Sequence, residues 1–171
     1  MSPQLEGLNE VLKRLNKTIA DIELHTKEGL TEAALVVKAD SVRGTPVDYG
    51  NLRSSAFIMI TDNPADNQSP SFKGPEAGQA QSDHSKGISE AKGIVNTGKN
   101  QYNAIVGYTA RYAFWVHEMP MIHAGEPRPA RKGNKKRGTF WQGGGNKFLL
   151  KSLMKNKSRI LQILIKWAKI K

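Results

Sequence analysis

Thr45-Pro46-Val47-Asp48-Tyr49-Gly50-Asn51-Leu52-Arg53-Ser54-Ser55, running into Ala56-Phe57-Ile58-Met59-Ile60-Thr61, is the stretch that decides the fold. Pro46 fixes its own φ and pushes Thr45 out of the α region, so a helical pattern arriving from upstream must end near Gly44. Asp48 and Asn51 carry short side-chain oxygens that bond nearby backbone N–H groups, and Gly50 takes a positive φ without steric cost. A tight turn followed by a capped helical turn at Leu52 to Ser55 is therefore predicted. The β-rich run 56–61 then leaves as a strand. Almost every residue of this corner has a backbone or capping task, and Asp48 and Arg53 are expected to brace it.

Upstream, Ser2-Pro3 reads as an N-cap followed by proline at the first helical position. Leu8, Leu12, Leu15, Ile19 and Ile22 recur at alternating intervals of four and three, a narrow apolar stripe of the kind that packs one helix along another. The stripe falters at Thr26 and Gly29, where a kink is expected, and resumes with Leu30, Ala33, Ala34 and Val37. A helix running to about Val42 would be about 60 Å long, more than the width of a small domain. Its stripe therefore packs against the C-terminal helix or forms a subunit interface.

Downstream, residues 62–100 carry Pro/Gly-bounded pieces and little periodicity, with Ile94-Val95 as the one apolar nucleus; a long flexible insertion is expected. Tyr102 to Tyr108 is a second strand, antiparallel to the first. Tyr112 to His117 reads as a short strand or helical turn whose Tyr112, Trp115, Val116 and His117 anchor the sheet. Pro120, Pro127 and Pro129 then open a second insertion, 119–145, with Phe140-Trp141 as a short returning strand. Asn146 caps a last helix with an apolar side of Phe148, Leu149, Leu153, Leu161, Leu164, Ile165 and Ala168. The expectation is one α+β domain over 1–171, with the two terminal helices on one face of a small, mostly antiparallel sheet.

Charge is unevenly placed. Residues 1–119 balance to −2, whereas 120–171 hold fourteen Lys/Arg against Glu126 alone, and the net charge is +11. Arg128, Arg131, Lys132, Lys135, Lys136, Arg137, Lys147 and Lys151 are candidate contacts to DNA or to an acidic protein surface, against the plainer reading of a solvated basic face. The chain contains no cysteine, which removes disulfides, thiolate metal sites and cysteine nucleophiles and suits assembly in a reducing cytoplasm. Neither a signal peptide nor a transmembrane span is expected, since no long apolar run occurs.

Three segments carry a resemblance to a known family. The corner Thr45 to Ser55, the segment Tyr112-Ala113-Phe114-Trp115-Val116-His117-Glu118 and the closing Asn146-Lys147-Phe148-Leu149-Leu150 together resemble the tailed-bacteriophage neck, or tail-completion, proteins that help join head to tail. All three occur in the family's order, although Tyr49 stands where its corner has threonine. The resemblance implies a structural virion protein assembled in the host cytoplasm. It also implies a homo-oligomeric ring lying between connector or stopper proteins on one side and tail-terminator or tail-tube proteins on the other, with genomic DNA passing through. Pro46, Asp48, Gly50, Asn51, Leu52 and Arg53 are then the fold-signature corner. No cofactor, metal or membrane partner is implied.

Catalytic readings fare poorly. A zinc protease needs two histidines four apart on one helix face, whereas His117-Glu118 and His123 are six apart with Pro120 between them. Gly143-Gly144-Gly145-Asn146-Lys147 lacks the spacing and hydroxyl residue of a phosphate loop, no serine elbow is present, and Asp48 has no carboxylate partner for acid/base work. A sequence-independent DNA-binding accessory protein, using the basic C-terminal third, is the alternative. The last helix, basic and amphipathic, would also suit an anionic membrane surface, but a helix closing an α+β domain has the same pattern.

Overall fold

The structure, a computed structural model, describes residues 4–63, 65–67, 69–96, 101–129, 139–141 and 144–169. Its elements in chain order are α1 (Gln4–Gly44), α2 (Asn51–Ser54), β1 (Ala56–Ile60), α3 (Ala77–Val95), β2 (Ala104–Tyr108), α4 (Ala113–Glu118) and α5 (Phe148–Ala168). The fold is α+β, with long N- and C-terminal helices and a two-stranded antiparallel sheet.

In the sheet, Ala56 stands opposite Tyr108 and Ile60 opposite Ala104. β1 is buried along its whole length because both faces are covered. Ile58 and Ile60 pack with Ala34 and Leu30 of α1, while Phe57 and Met59 pack with Ile88, Ala91 and Val95 of α3. This is why Ala-Phe-Ile-Met-Ile shows none of the apolar/polar alternation of a half-solvated strand. The outer edge of β1 is closed by side chains: Ile58 N–H donates to Asp66 Oδ1 at 2.7 Å, and Asn67 Nδ2 donates to the carbonyls of Ser54 and Ala56.

α3 corrects the expectation of a connection without periodicity across 62–100. Its inward face is His84, Ile88, Ala91 and Val95, a helical spacing hidden because one member is polar and another small. His84 is fully buried, with Nδ1 2.7 Å from Thr109 Oγ1 and Nε2 donating to the Asn67 carbonyl at 2.6 Å. Ile94, read as half of an apolar nucleus, points outward at 64% exposure. Gly87 allows the helix close to β2, since a Cβ there would lie 2.8 Å from Thr109 Cγ2.

α5 lies antiparallel along the second half of α1 and reaches the sheet where Phe148 meets Tyr108 edge-on at 5.0 Å. Ser152 Oγ donates to the Val37 carbonyl at 2.8 Å, and Trp167 Nε1 donates to Glu32 at 2.7 Å. α1 is one continuous helix through Gly29 and on to Gly44. Gly29 makes room for α5: a Cβ there would come within 3.0 Å of Trp167 Cβ. Beyond α5, every residue of α1 from Gly7 to Leu24 is exposed. That stretch projects roughly 30 Å from the core at 1.5 Å per residue.

The expected strand at Phe140-Trp141 reduces to a single bridge between Pro127 and Thr139. Ser2-Pro3 lies outside the described residues. Among those described, no helix is long and apolar enough to cross a membrane.

Candidate assembly interface

Pro46 ends α1, and the carbonyls it leaves unpaired at that end are taken up by Arg53. The guanidinium donates through Nε and Nη2 to the Thr45 carbonyl at 3.0 and 2.8 Å, and through Nη2 to the Arg43 carbonyl at 3.3 Å. A cation at a helix C-terminus also suits the macrodipole. Gly50 takes φ 87° and starts α2, whose N-terminus has no side-chain cap. Asn51, expected to bond locally, reaches Lys73 instead, donating to its carbonyl and accepting its N–H, both at 2.8 Å. Asp48, also expected to serve the local backbone, pairs with Arg128 Nη1 at 3.2 Å. Leu52 is buried with Ala110, Ala113 and Phe148.

The other two motif segments close onto this corner. α4 is helical, and Val116 packs on the Leu52 and Phe148 cluster. Lys147 N–H donates to the His117 carbonyl at 2.8 Å, Asn146 Nδ2 to the Met119 carbonyl at 3.1 Å, and Gly145 N–H to the Gly44 carbonyl at 2.9 Å. Gly144 sits so close to the corner that a Cβ would lie 2.4 Å from Pro46 N. No side chain fits there.

Two sequence expectations are corrected at this joint. Asn146 does not cap α5; the N-cap is Lys147, in the left-handed conformation at φ 52° with no side-chain cap of its own. Its place is taken by His117, whose Nε2 faces Leu150 N–H at 3.5 Å and whose ring meets Phe148 edge-on at 4.9 Å. His117 Nδ1 bonds Glu118 at 2.7 Å, and Lys147 pairs with the same carboxylate. Lys147 first and His117 second hold the Glu118 carboxyl below its usual range. The second correction concerns Trp115, which does not anchor the sheet but stands 66% exposed beside Phe114 at 65%. The sheet is tied to α1 by Tyr108 instead, whose hydroxyl lies 2.6 Å from Ser41 Oγ and 3.2 Å from Thr45 Oγ1. Burial pushes the Tyr108 phenol up from its ordinary range.

Between the corner, α4 and the segment around 119–128 lies a cleft of about 560 Å³. Pro46, Asp48, Gly50 and Asn51 line it from the corner, Val116 from α4 with Tyr112 and Met119 from its two caps, and Phe140 and Trp141 from the far wall. Tyr112, read as a sheet anchor, belongs to this wall. Arg128 stacks over Phe140, 5.8 Å from the ring centroid.

Of the candidate DNA or acidic-partner contacts, Arg128 pairs with Asp48, Lys147 with Glu118, and Lys151 Nζ donates to Asn146 Oδ1 at 3.1 Å. Arg131, Lys132, Lys135, Lys136 and Arg137 lie outside the described residues. Among the described residues no group of three or more His, Asp or Glu side chains is placed to hold a metal ion. Sequence reasoning missed His84 and Gly144, whose partners become visible only once the chain has folded back. Comparison with protein-family models, with curated proteins and with solved structures gives no match to this chain.

Proposed function

We propose that the chain is a structural virion protein of a tailed phage, a subunit of the neck or tail-completion ring that joins head to tail. The observation that carries this reading is the convergence of the three resembling segments. Residues 45–55, 112–118 and 146–150, far apart in sequence, form one joint through the Gly145 to Gly44 bond, the Lys147 to His117 bond and the cluster of Leu52, Val116 and Phe148. Segments that share a motif order and also build a common joint behave as a fold signature. The polar residues a hydrolase would need are engaged in the scaffold, Asp48 by Arg128 and His117 by Glu118 and Leu150.

The mechanism on this reading is assembly without turnover. Ring closure repeats one contact around an axis, so individually weak contacts become collectively stable. The virion is the destination, after assembly in the host cytoplasm, with neighbouring neck and tail rings as partners. The DNA-binding alternative draws on the same basic third, yet Arg128, Lys147, Lys155 and Lys166 each face a carboxylate of the chain itself, which lowers the charge they offer to phosphates.

Phage particles produced without the protein provide the test. Accumulation of filled heads and separate tails, restored to whole particles by adding the purified protein, is the expected result. Normal joining, with the protein absent from finished particles, would overturn the reading. Metal-dependent hydrolysis abolished by His117→Ala or Asp48→Ala would replace it with an enzyme.

A further inference from the structure

We propose that the N-terminal half of α1 pairs in parallel with the same segment of a second copy of this chain, as a short coiled coil that ends where α5 begins. A parallel pair in which each seam residue faces its own copy is two-fold symmetric, so it couples subunits in twos and does not by itself close a ring. The contact itself rests on the helix.

Leu8, Leu12, Leu15, Ile19 and Ile22 are all between 43% and 52% exposed and lie on one narrow seam of α1. Their alternating spacing of four and three is the 3.5-residue repeat of a two-helix seam, with Leu12 and Ile19 at one set of core positions and Leu8, Leu15 and Ile22 at the other. A partner of different chemistry would leave a signature in the flanking residues. The positions beside the seam are Asn9, Val11, Asn16, Thr18 and Glu23, and parallel pairing of two copies sets Val11 near Asn16 and Thr18 near Glu23 with no like charges opposed. Antiparallel pairing that matches Leu12 with Leu15 is the other arrangement of the seam, and cross-linking at these two positions separates the two directions. Residues 4–24 carry three basic and four acidic side chains, so self-association meets no net repulsion, unlike the strongly basic C-terminal third.

The seam is also continuous with a packed interface. It runs into the face of α1 on which α5 lies, and the junction is a recess of about 360 Å³ lined by Ile22, His25, Gly29, Leu164 and Trp167. Past Thr26 the seam position is already filled by α5, so a partner helix must diverge there. The coiled coil is thereby limited to the projecting stretch, and each copy keeps its own core.

The absence of cysteine from the chain makes the test clean. Leu12→Cys and Leu15→Cys place a thiol on the seam, and Lys17→Cys places one on the opposite side of the helix. Mild oxidation of the full chain is expected to give covalent dimers of each seam variant alone and none of Lys17→Cys, since a disulfide needs Cα atoms within about 7 Å. Linking only when Leu12→Cys and Leu15→Cys are mixed would mean antiparallel pairing and would overturn the proposal. So would equal linking at all three positions, or a wild-type chain that sediments as a monomer. Leu12→Glu with Leu15→Glu is expected to halve the sedimented mass while the thermal midpoint of the core stays in place; an unchanged mass counts against the seam. Normal joining in a phage that lacks the protein would remove the neck reading and leave the contact standing.

Discussion

At Gly144 a single missing carbon decides whether the corner and α5 can meet. The segment before α5 crosses the end of α1 so closely that a methyl group would overlap Pro46 N and the Thr45 carbonyl carbon at 2.4 Å, and both are backbone atoms that cannot swing aside. Gly144→Ala is therefore expected to cost about 1–3 kcal/mol or more through overpacking. In a thermal melt that loss lowers the midpoint by about 2–4 °C per kcal/mol. An unchanged midpoint would mean that the segment does not cross the corner. Arg53 works on the other side of the same junction, with its fork on the carbonyls of Arg43 and Thr45, so the residue pair at positions 53 and 144 closes α1 from two directions. The role of Arg53 could be read from its place after the proline turn. That of Gly144 could not, because a triplet of glycines before a helix looks the same whether it bends freely or passes a neighbour at contact distance.

Elements with regular apolar spacing were legible, and those whose inward face includes polar or small residues were not. α1, β1, β2 and α5 announce themselves by periodicity or β-branched content. α3 does not, since His84 and Ala91 hold two of its inward positions and three glycines dilute its propensity. The outward Ile94 and the buried Val95 give a direct check: Val95→Ala is expected to destabilise by about 1–3 kcal/mol and Ile94→Ala to stay within about 0.5 kcal/mol, both by denaturant unfolding. Reversed effects would mean that α3 is rotated. The α1–α5 pair adds a dependence on pH. Glu32 is held below the ordinary carboxylate range by hydrogen bonds from Trp167 and Lys166, and Asp40 chiefly by Lys155. With the folded values below the unfolded ones, the unfolded chain takes up protons first as pH falls. The contribution is complete above the unfolded carboxylate range near 4 and is lost as pH drops through the lower folded values. The melting midpoint should therefore hold steady down to about pH 5 and then fall, with a shallower fall in Glu32→Gln with Asp40→Asn. Equal acid profiles for the two proteins would remove these groups from the account.

For the whole molecule, the division of α1 into a packed half and a projecting half separates stability from association. Residues His25 to Gly44 carry the contacts to sheet and α5, whereas Gly7 to Leu24 touch no core cluster among the described residues. A chain starting at residue 25 is expected to melt within about 2 °C of the full chain, the shift that surface changes of about 0.5 kcal/mol produce in a protein of this size. It is also expected to lose concentration dependence in sedimentation, and a collapsed midpoint would place residues 4–24 in the core. The sheet sets a different boundary. Ala-Phe-Ile-Met-Ile has no charge and no proline, the composition from which fibrils are templated strand upon strand. Asp66 and Asn67 occupy its outer rim with carboxylate and amide groups where a foreign strand would have to bond. Growth of any assembly at that rim is thereby blocked, and a molecule obliged to stack into a particle is left to do so through its helices rather than by lengthening its sheet.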